Sequence, residues 1–235
     1  MQDIPIKGVF KTSLLDYPGK ISTVIFLGNC NFRCPFCHNP DLVLKPESLP
    51  SIPPQEILDY LKEKRKWLDG LVVGGGEPTL HAGLPDFLAK VKELGFLVKL
   101  DTNGTNPEMI KELLDRKIVD YVAMDIKAPL EKYGLLTGVK VDLEKIKQSV
   151  ELLKNSNVDY EFRTTVVPGL HEENDFPKIG QWLKGSKKYF LQQFVNDNAM
   201  VDDQLQKVQP FKPSKLEKIA ENLKEFFEIV EIRGI

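Results

Sequence analysis

A chain of 235 residues suits one large or two small domains, and 42% hydrophobic with 9% aromatic residues fits a globular protein with a sizeable core. A formal net charge of −2, with acidic and basic residues interspersed, excludes a general electrostatic footprint for nucleic acid or a membrane surface. No apolar run approaches the roughly 18 residues of a membrane helix, and the opening Met1-Gln2-Asp3-Ile4-Pro5 has no basic or apolar signal segment.

Ile4 to Lys20 reads as short extended pieces with a Tyr17-Pro18-Gly19 turn. Ile21 to Leu27 is nearly all apolar and rich in β-branched and aromatic residues, as in a strand buried on both faces of a parallel sheet. A cysteine-bearing loop follows, then prolines and a helix from Pro54 to about Trp67. From there strands and helices alternate. Strands are expected at Leu71–Val73, Phe96–Leu100, Val119–Asp125, Val158–Val167 and Tyr189–Phe194. Helices are expected at Leu84–Leu94, from Asn106-Pro107 through Leu114, at Leu143–Leu153, at Phe176–Leu183 and from Ser214 to about Phe227. Glu228 to Ile232 fits either a further strand or a tail. Strands alternating with helices imply a parallel sheet with helices outside it. Six strand-helix units fall short of the eight, in about 250 residues, of a full barrel, so the expected fold is an α/β partial (β/α)6 TIM-like barrel. The expected organisation is a single domain over 1–235: an N-terminal extension (1–20), the barrel core (21–194), and a C-terminal helix and tail (195–235).

All three cysteines lie in Cys30-Asn31-Phe32-Arg33-Cys34-Pro35-Phe36-Cys37, spaced C-x3-C-x2-C. Thiolates are the usual ligands of a [4Fe–4S] cube, and three from one loop leave the fourth iron open to a substrate. A zinc knuckle would need His38 as fourth ligand, but adjacent Cys37 and His38 diverge. Cys34-Pro35-Phe36-Cys37-His38 also matches the haem attachment pattern C-x-x-C-H, which belongs chiefly to exported proteins. Cysteines confined to one motif argue for a reducing cytoplasm and against a disulfide framework.

Barrel enzymes carry their chemistry at the carboxyl ends of the strands, and polar groups recur there along this chain. After the cysteines come Gly74-Gly75-Gly76-Glu77-Pro78, then Asp101-Thr102-Asn103-Gly104, Asp125-Ile126-Lys127, Arg163-Thr164-Thr165-Val166-Val167 and Gln192-Gln193-Phe194. Without Cβ atoms, Gly74 to Gly76 would let a ligand approach the backbone, whose free carbonyls accept from an ammonium group, and Glu77 adds negative charge. A triple glycine is also an ordinary turn, and Asp101 and Asp125 also suit helix caps or loop ends. Arg163 fits either a buried ion pair or a contact to a substrate loop, while His81 and His171 are expected at the surface.

The cysteine spacing, with aromatic Phe36 before the last cysteine, resembles the radical S-adenosylmethionine (SAM) superfamily. Ser13-Leu14-Leu15-Asp16-Tyr17-Pro18-Gly19-Lys20 and Cys37-His38-Asn39-Pro40 resemble its glycyl-radical-enzyme activating branch, and the likeness runs through most of the chain. The resemblance implies that Cys30, Cys34 and Cys37 hold a [4Fe–4S] cluster. Gly74-Gly75-Gly76-Glu77 then binds the SAM amino group, Phe36 walls the adenine, Lys127 and Asn103 face SAM, and Thr165 and Val167 edge the adenosyl pocket. It further implies an oxygen site of Asp101, Thr102 and Asp125, with a carbonyl near Ala123, for a monovalent Na+ or K+ ion beside the SAM carboxylate. Pyruvate formate-lyase activating enzymes carry a ribose-contacting histidine after the sixth strand; here Phe194-Val195-Asn196-Asp197 has none, leaving Gln192, Gln193 or Asn196 as substitutes.

The implied activity is reductive cleavage of SAM to a 5′-deoxyadenosyl radical that generates a glycyl radical on a partner enzyme, anaerobic ribonucleoside-triphosphate reductase foremost. Three cysteines leave no room for a second all-cysteine cluster, so the electron should come from an external flavodoxin or ferredoxin. Activation of pyruvate formate-lyase, a small-molecule radical SAM reaction such as that of 7-carboxy-7-deazaguanine synthase, and a non-catalytic iron–sulfur or zinc module are the alternatives.

Overall fold

The computed structural model describes residues 4–235; residues 1–3 of the expected extension lie outside them. The strands are β1 (Ile6–Ser13), β2 (Ser22–Leu27), β3 (Gly70–Gly75), β4 (Leu97–Thr102), β5 (Tyr121–Asp125), β6 (Asp159–Val166), β7 (Ser186–Gln193) and β8 (Phe227–Arg233). The helices are α1 (Pro40–Leu44), α2 (Pro54–Lys64), α3 (Leu84–Glu93), α4 (Pro107–Asp115), α5 (Tyr133–Thr137), α6 (Leu143–Lys154), α7 (Asp175–Leu183) and α8 (Pro213–Leu223). The strands form one eight-stranded sheet in chain order, with β1 antiparallel to β2 and parallel pairing of β2–β3, β3–β4, β6–β7 and β7–β8. From β2 to α8 the chain runs through six strand-helix units, the expected partial barrel. Among the described residues no helix is long and apolar enough to cross a membrane.

Local sequence accounts for most boundaries. Asn106 caps α4 by accepting from Met109 N at 3.2 Å, Pro107 supplies the preset first turn, and Ile110 and Leu113 are buried. In α3 the buried residues Leu84, Phe87, Leu88 and Val91 follow the 3–4 spacing of one helix face. Helix α2 stops at Lys64, short of Trp67, which is exposed. Residues of β2 are buried on both faces, whereas β8 keeps Glu228, Ile229 and Glu231 exposed, as suits the last strand of an open sheet. The short extended pieces expected near the start form a full strand, β1, and the undecided C-terminal segment is a strand.

The chain divides into two compact units. The first comprises the chain up to Asn31, Asp41–Ala123 and Lys145–Asp159. Its core includes a cluster of Tyr17, Val24, Val72, Tyr121 and Ala123, with Phe26 and Leu97 packed against it. The second comprises Phe32–Pro40, Met124–Glu144 and Tyr160–Ile235. There the Tyr189 and Phe227 rings stack at 4.7 Å, and Arg233 lies over Phe190 while forming a two-bond fork with the buried Glu161 at 2.6 and 2.8 Å.

Candidate active site

In the first unit three strand ends are laced together. Asn29, at φ 69°, turns the chain out of β2 into Cys30 and Asn31. The glycine turn after β3 lies directly against this segment: Gly76 N donates to Leu27 O and Glu77 N to Asn29 O, both at 2.8 Å. A Cβ on Gly76 would fall 1.9 Å from Asn29 O, and one on Gly75 2.5 Å from Leu27 N. Gly76 is therefore required by the segment that enters the cysteine loop and Gly75 by the end of β2, a different reason from the ligand approach expected of them. Gly74 has ordinary room, its nearest neighbour being Asp101 Cβ at 3.5 Å.

Glu77 is fully buried, and its carboxylate ties this turn to the one after β4. Oε1 accepts from Thr79 N (3.0 Å), Thr79 Oγ1 (2.6 Å) and Thr102 Oγ1 (2.8 Å), and Oε2 accepts from Asn103 N (2.6 Å). Burial raises the Glu77 pKa above the ordinary carboxylate value against the pull of these four donors. Asn103 reaches back with its carboxamide, donating to Asn31 Oδ1 at 2.8 Å and lying 4.0 Å from Cys30 Sγ. Asp101 bonds the ammonium of Lys99, a lysine only 2% exposed. Sequence reasoning passed over Lys99; its one signal was a charge inside the apolar run Val98-Lys99-Leu100.

The second unit holds the rest of the cysteine loop. Arg33 N donates to Thr137 O at 2.7 Å, and the left-handed Gly138 that ends α5 gives Arg33 room: a Cβ there would lie 2.4 Å from Arg33 O. Cys37 N closes a turn on Cys34 O at 3.1 Å, and Asp202 N donates to Pro35 O at 2.9 Å. Cys34 and Phe36 are buried, and the Lys127 ammonium stands 6.0 Å from the Phe36 ring centre. Lys127 donates to Asp125 Oδ2 at 2.8 Å, and Arg163 Nε to Asp125 Oδ1 at 2.5 Å, so Arg163 belongs to an ion pair. Burial alone would raise the Asp125 pKa, but Arg163 and Lys127 outweigh it and hold the carboxyl well below the usual range. Burial pushes the Cys34 thiol up to about 11, with Lys127 acting in the opposite direction.

Both histidines expected at the surface are instead structural. His171 is 3% exposed; its Nδ1 accepts from Val167 N (3.1 Å) and its Nε2 bonds Lys127 O (2.9 Å). Tyr133 OH holds the other end of the Lys127 residue, accepting from its N–H at 3.3 Å. In the first unit His81 Nε2 bonds Gly28 O at 2.9 Å. His38 is exposed, with Nε2 on Val195 O at 2.9 Å. Thr165 is half-buried and Val167 fully buried. Of the residues weighed as substitutes for a ribose-contacting histidine, Gln193 donates to Phe211 O (2.6 Å), Asn196 to Gln206 O and Val208 O (3.1 and 3.0 Å), and Gln192 is exposed.

None of the three cysteines is in a disulfide. Among the described residues no group of three or more His, Cys, Asp or Glu side chains is arranged to hold a single metal ion. The donor set, three thiols in an eight-residue loop with an ammonium beside the buried one, is chemically that of an iron–sulfur cluster. The family model for the radical SAM superfamily matches residues 24–182, which spans the cysteine loop and both glycine and aspartate turns. The chain belongs to the radical SAM superfamily. It is 38% identical to the "Putative glycyl-radical enzyme activating enzyme" of Methanocaldococcus jannaschii over 98% of this chain and 96% of that protein. This radical SAM protein therefore groups with the glycyl-radical enzyme activating enzymes, and membership implies a [4Fe–4S] cluster and SAM. It is also 27% identical to the pyruvate formate-lyase-activating enzyme of Clostridium pasteurianum over 95% of this chain and 98% of that one. Streptococcus suis SuiB bound to S-adenosylmethionine shares the fold, with a TM-score of 0.69 at 12% identity over 88% of this chain and 48% of SuiB, so the chain spans about half that protein's length.

Proposed function

We propose that the chain, acting as one radical SAM domain, generates a glycyl radical on a partner enzyme, most specifically an anaerobic ribonucleoside-triphosphate reductase. The observation that carries this reading is the cysteine loop, its entry seated against Gly76 and Glu77 and its Arg33 against Gly138, in a chain similar over nearly its whole length to a glycyl-radical enzyme activating enzyme. Held by Cys30, Cys34 and Cys37, a [4Fe–4S] cluster would supply one electron for homolysis of the SAM C5′–S bond, yielding the 5′-deoxyadenosyl radical that takes a hydrogen from the partner's glycine Cα.

The remaining work falls to the chain's own groups. Lys127, fixed by Asp125, Tyr133 and His171, keeps a cation beside buried Cys34, where it favours the thiolate and the anionic centre formed on it. Asn103 offers its amide N–H toward Cys30 Sγ, a weaker, neutral stabilisation. Backbone carbonyls of Gly74 to Gly76 receive the SAM amino group, Phe36 packs on the adenine, and Thr165 and Val167 border the adenosyl moiety. Glu77 acts through the loops it ties, since its oxygens already accept four bonds. The electron comes from an external flavodoxin or ferredoxin.

Anaerobic reconstitution with iron and sulfide tests the reading. The expected result is SAM cleavage under strong reductant and a glycyl electron-spin-resonance signal in a co-incubated anaerobic reductase. Cys34→Ser should lose bound iron and cleavage together. A signal only in pyruvate formate-lyase would move the partner; cleavage with a signal in neither would point to a small-molecule substrate, and no cleavage would leave a binding module.

A further inference from the structure

We infer that this chain carries its own cation: the Lys99 ammonium balances Asp101 from within the fold, so the SAM site requires no sodium or potassium ion. The inference rests on the function proposed above and on the implied oxygen site that sets Asp101 beside the SAM carboxylate.

The register places Lys99 beside Val72, which pairs in turn with Val24, and both valines belong to the core cluster of the first unit. Strand alternation puts Leu97, Lys99 and Asp101 on one face of β4, and Leu97 packs against that same cluster. Lys99 thus projects from an apolar layer, 2% exposed, and its ammonium bonds Asp101 Oδ1, two residues nearer the carboxyl end of the strand. A lysine buried to this degree is held by a partner charge. The carboxylate lies next to Gly74, its Oδ2 3.9 Å from where a Cβ would stand.

An oxygen site for a monovalent cation needs hard ligands with negative charge to spare. The set implied by the resemblance has none. Asp101 and Lys99 form a neutral pair. The Thr102 hydroxyl donates to Glu77 Oε1 (2.8 Å) and accepts from Gly104 N (3.1 Å). In the second unit Asp125 faces two cations, Arg163 and Lys127. An added ion at Asp101 would meet the repulsion of Lys99. The chain fulfils the ion's electrostatic role with a group that cannot dissociate.

The test compares potassium, sodium and choline chlorides at one ionic strength, using the reconstituted wild-type protein for SAM affinity and the metal-free chain for thermal melting. SAM affinity should change by less than about twofold among the three salts, since screening is constant, and the melting temperature should be the same in each. A saturable gain in either with potassium or sodium overturns the inference. Lys99→Met exposes Asp101 and should acquire a potassium or sodium dependence of roughly tenfold in SAM affinity; a folded variant indifferent to these ions counts against it. If SAM fails to bind in every salt, the functional reading falls, while flat melting of the metal-free chain still supports the internal cation.

Discussion

At the amino end of the cysteine loop Cys30 lies near a carboxamide, Asn103, and the nearby carboxylate, Glu77, is satisfied by four hydrogen-bond donors. Toward the carboxyl end Cys34 is buried within electrostatic reach of Lys127, and the nearby carboxylate, Asp125, is satisfied by two cations. The same residue chemistry is thus used in two ways. Glu77 uses its charge to fix two backbone turns, those after β3 and β4, whereas Asp125 uses its charge to aim side chains. Each end also has one glycine that the loop backbone presses against, Gly76 at the first and Gly138 at the second.

Replacing those glycines should produce the largest effects. Gly76→Ala forces a Cβ into a backbone carbonyl at 1.9 Å and should cost about 3 kcal/mol or more, read from the urea midpoint. Gly138→Ala meets Arg33 O at 2.4 Å and adopts a left-handed φ of 67°, which alone costs roughly 1–2 kcal/mol. A neutral Gly76→Ala would show that the amino end is not seated as described. Next in size is Glu77→Gln, which turns one acceptor into a donor facing N–H or O–H groups. It should lose about 1–3 kcal/mol, and a stability within error of wild type would mean the brace contributes nothing.

The smallest effect concerns what the two ends share, a histidine bonded to a carbonyl: His81 on Gly28 O and His171 on Lys127 O. Burial lowers both pKa values below the ordinary 6.5. Below that value the unfolded chain binds protons the folded one resists, so their contribution is present above about pH 6.5 and is lost as the pH falls. Equilibrium unfolding between pH 5 and 7.5 should show this slope, each of His81→Gln and His171→Gln should flatten part of it, and an unchanged slope in the double variant would refute the assignment.

The strand-helix rhythm was legible because β2, β3, β4 and β6 are buried runs and the α3, α4 and α8 faces repeat at helical spacing. β8 was ambiguous because an edge strand, half exposed and carrying Glu228 and Glu231, mixes polar and apolar residues. The five-residue α5 is too short for a periodic signal, yet its Gly138 end seats Arg33. His81 and His171 were misplaced because their partners stand 53 and 44 residues away, a relation no local pattern contains. Gly75 and Gly76 were legible as special positions, but the close approach they permit is made by the chain's own backbone.

Unequal burial of the three thiols has a practical bearing on handling the protein. Cys34 is 7% exposed and its thiol is shifted up to about 11, whereas Cys30 and Cys37 are partly open to solvent. Alkylating agents and peroxide attack thiolates that they can reach. In metal-free material left in air, damage should accumulate at the two outer positions while the inner one survives, so a residual titre of one thiol per chain marks a preparation whose two outer thiols have been consumed.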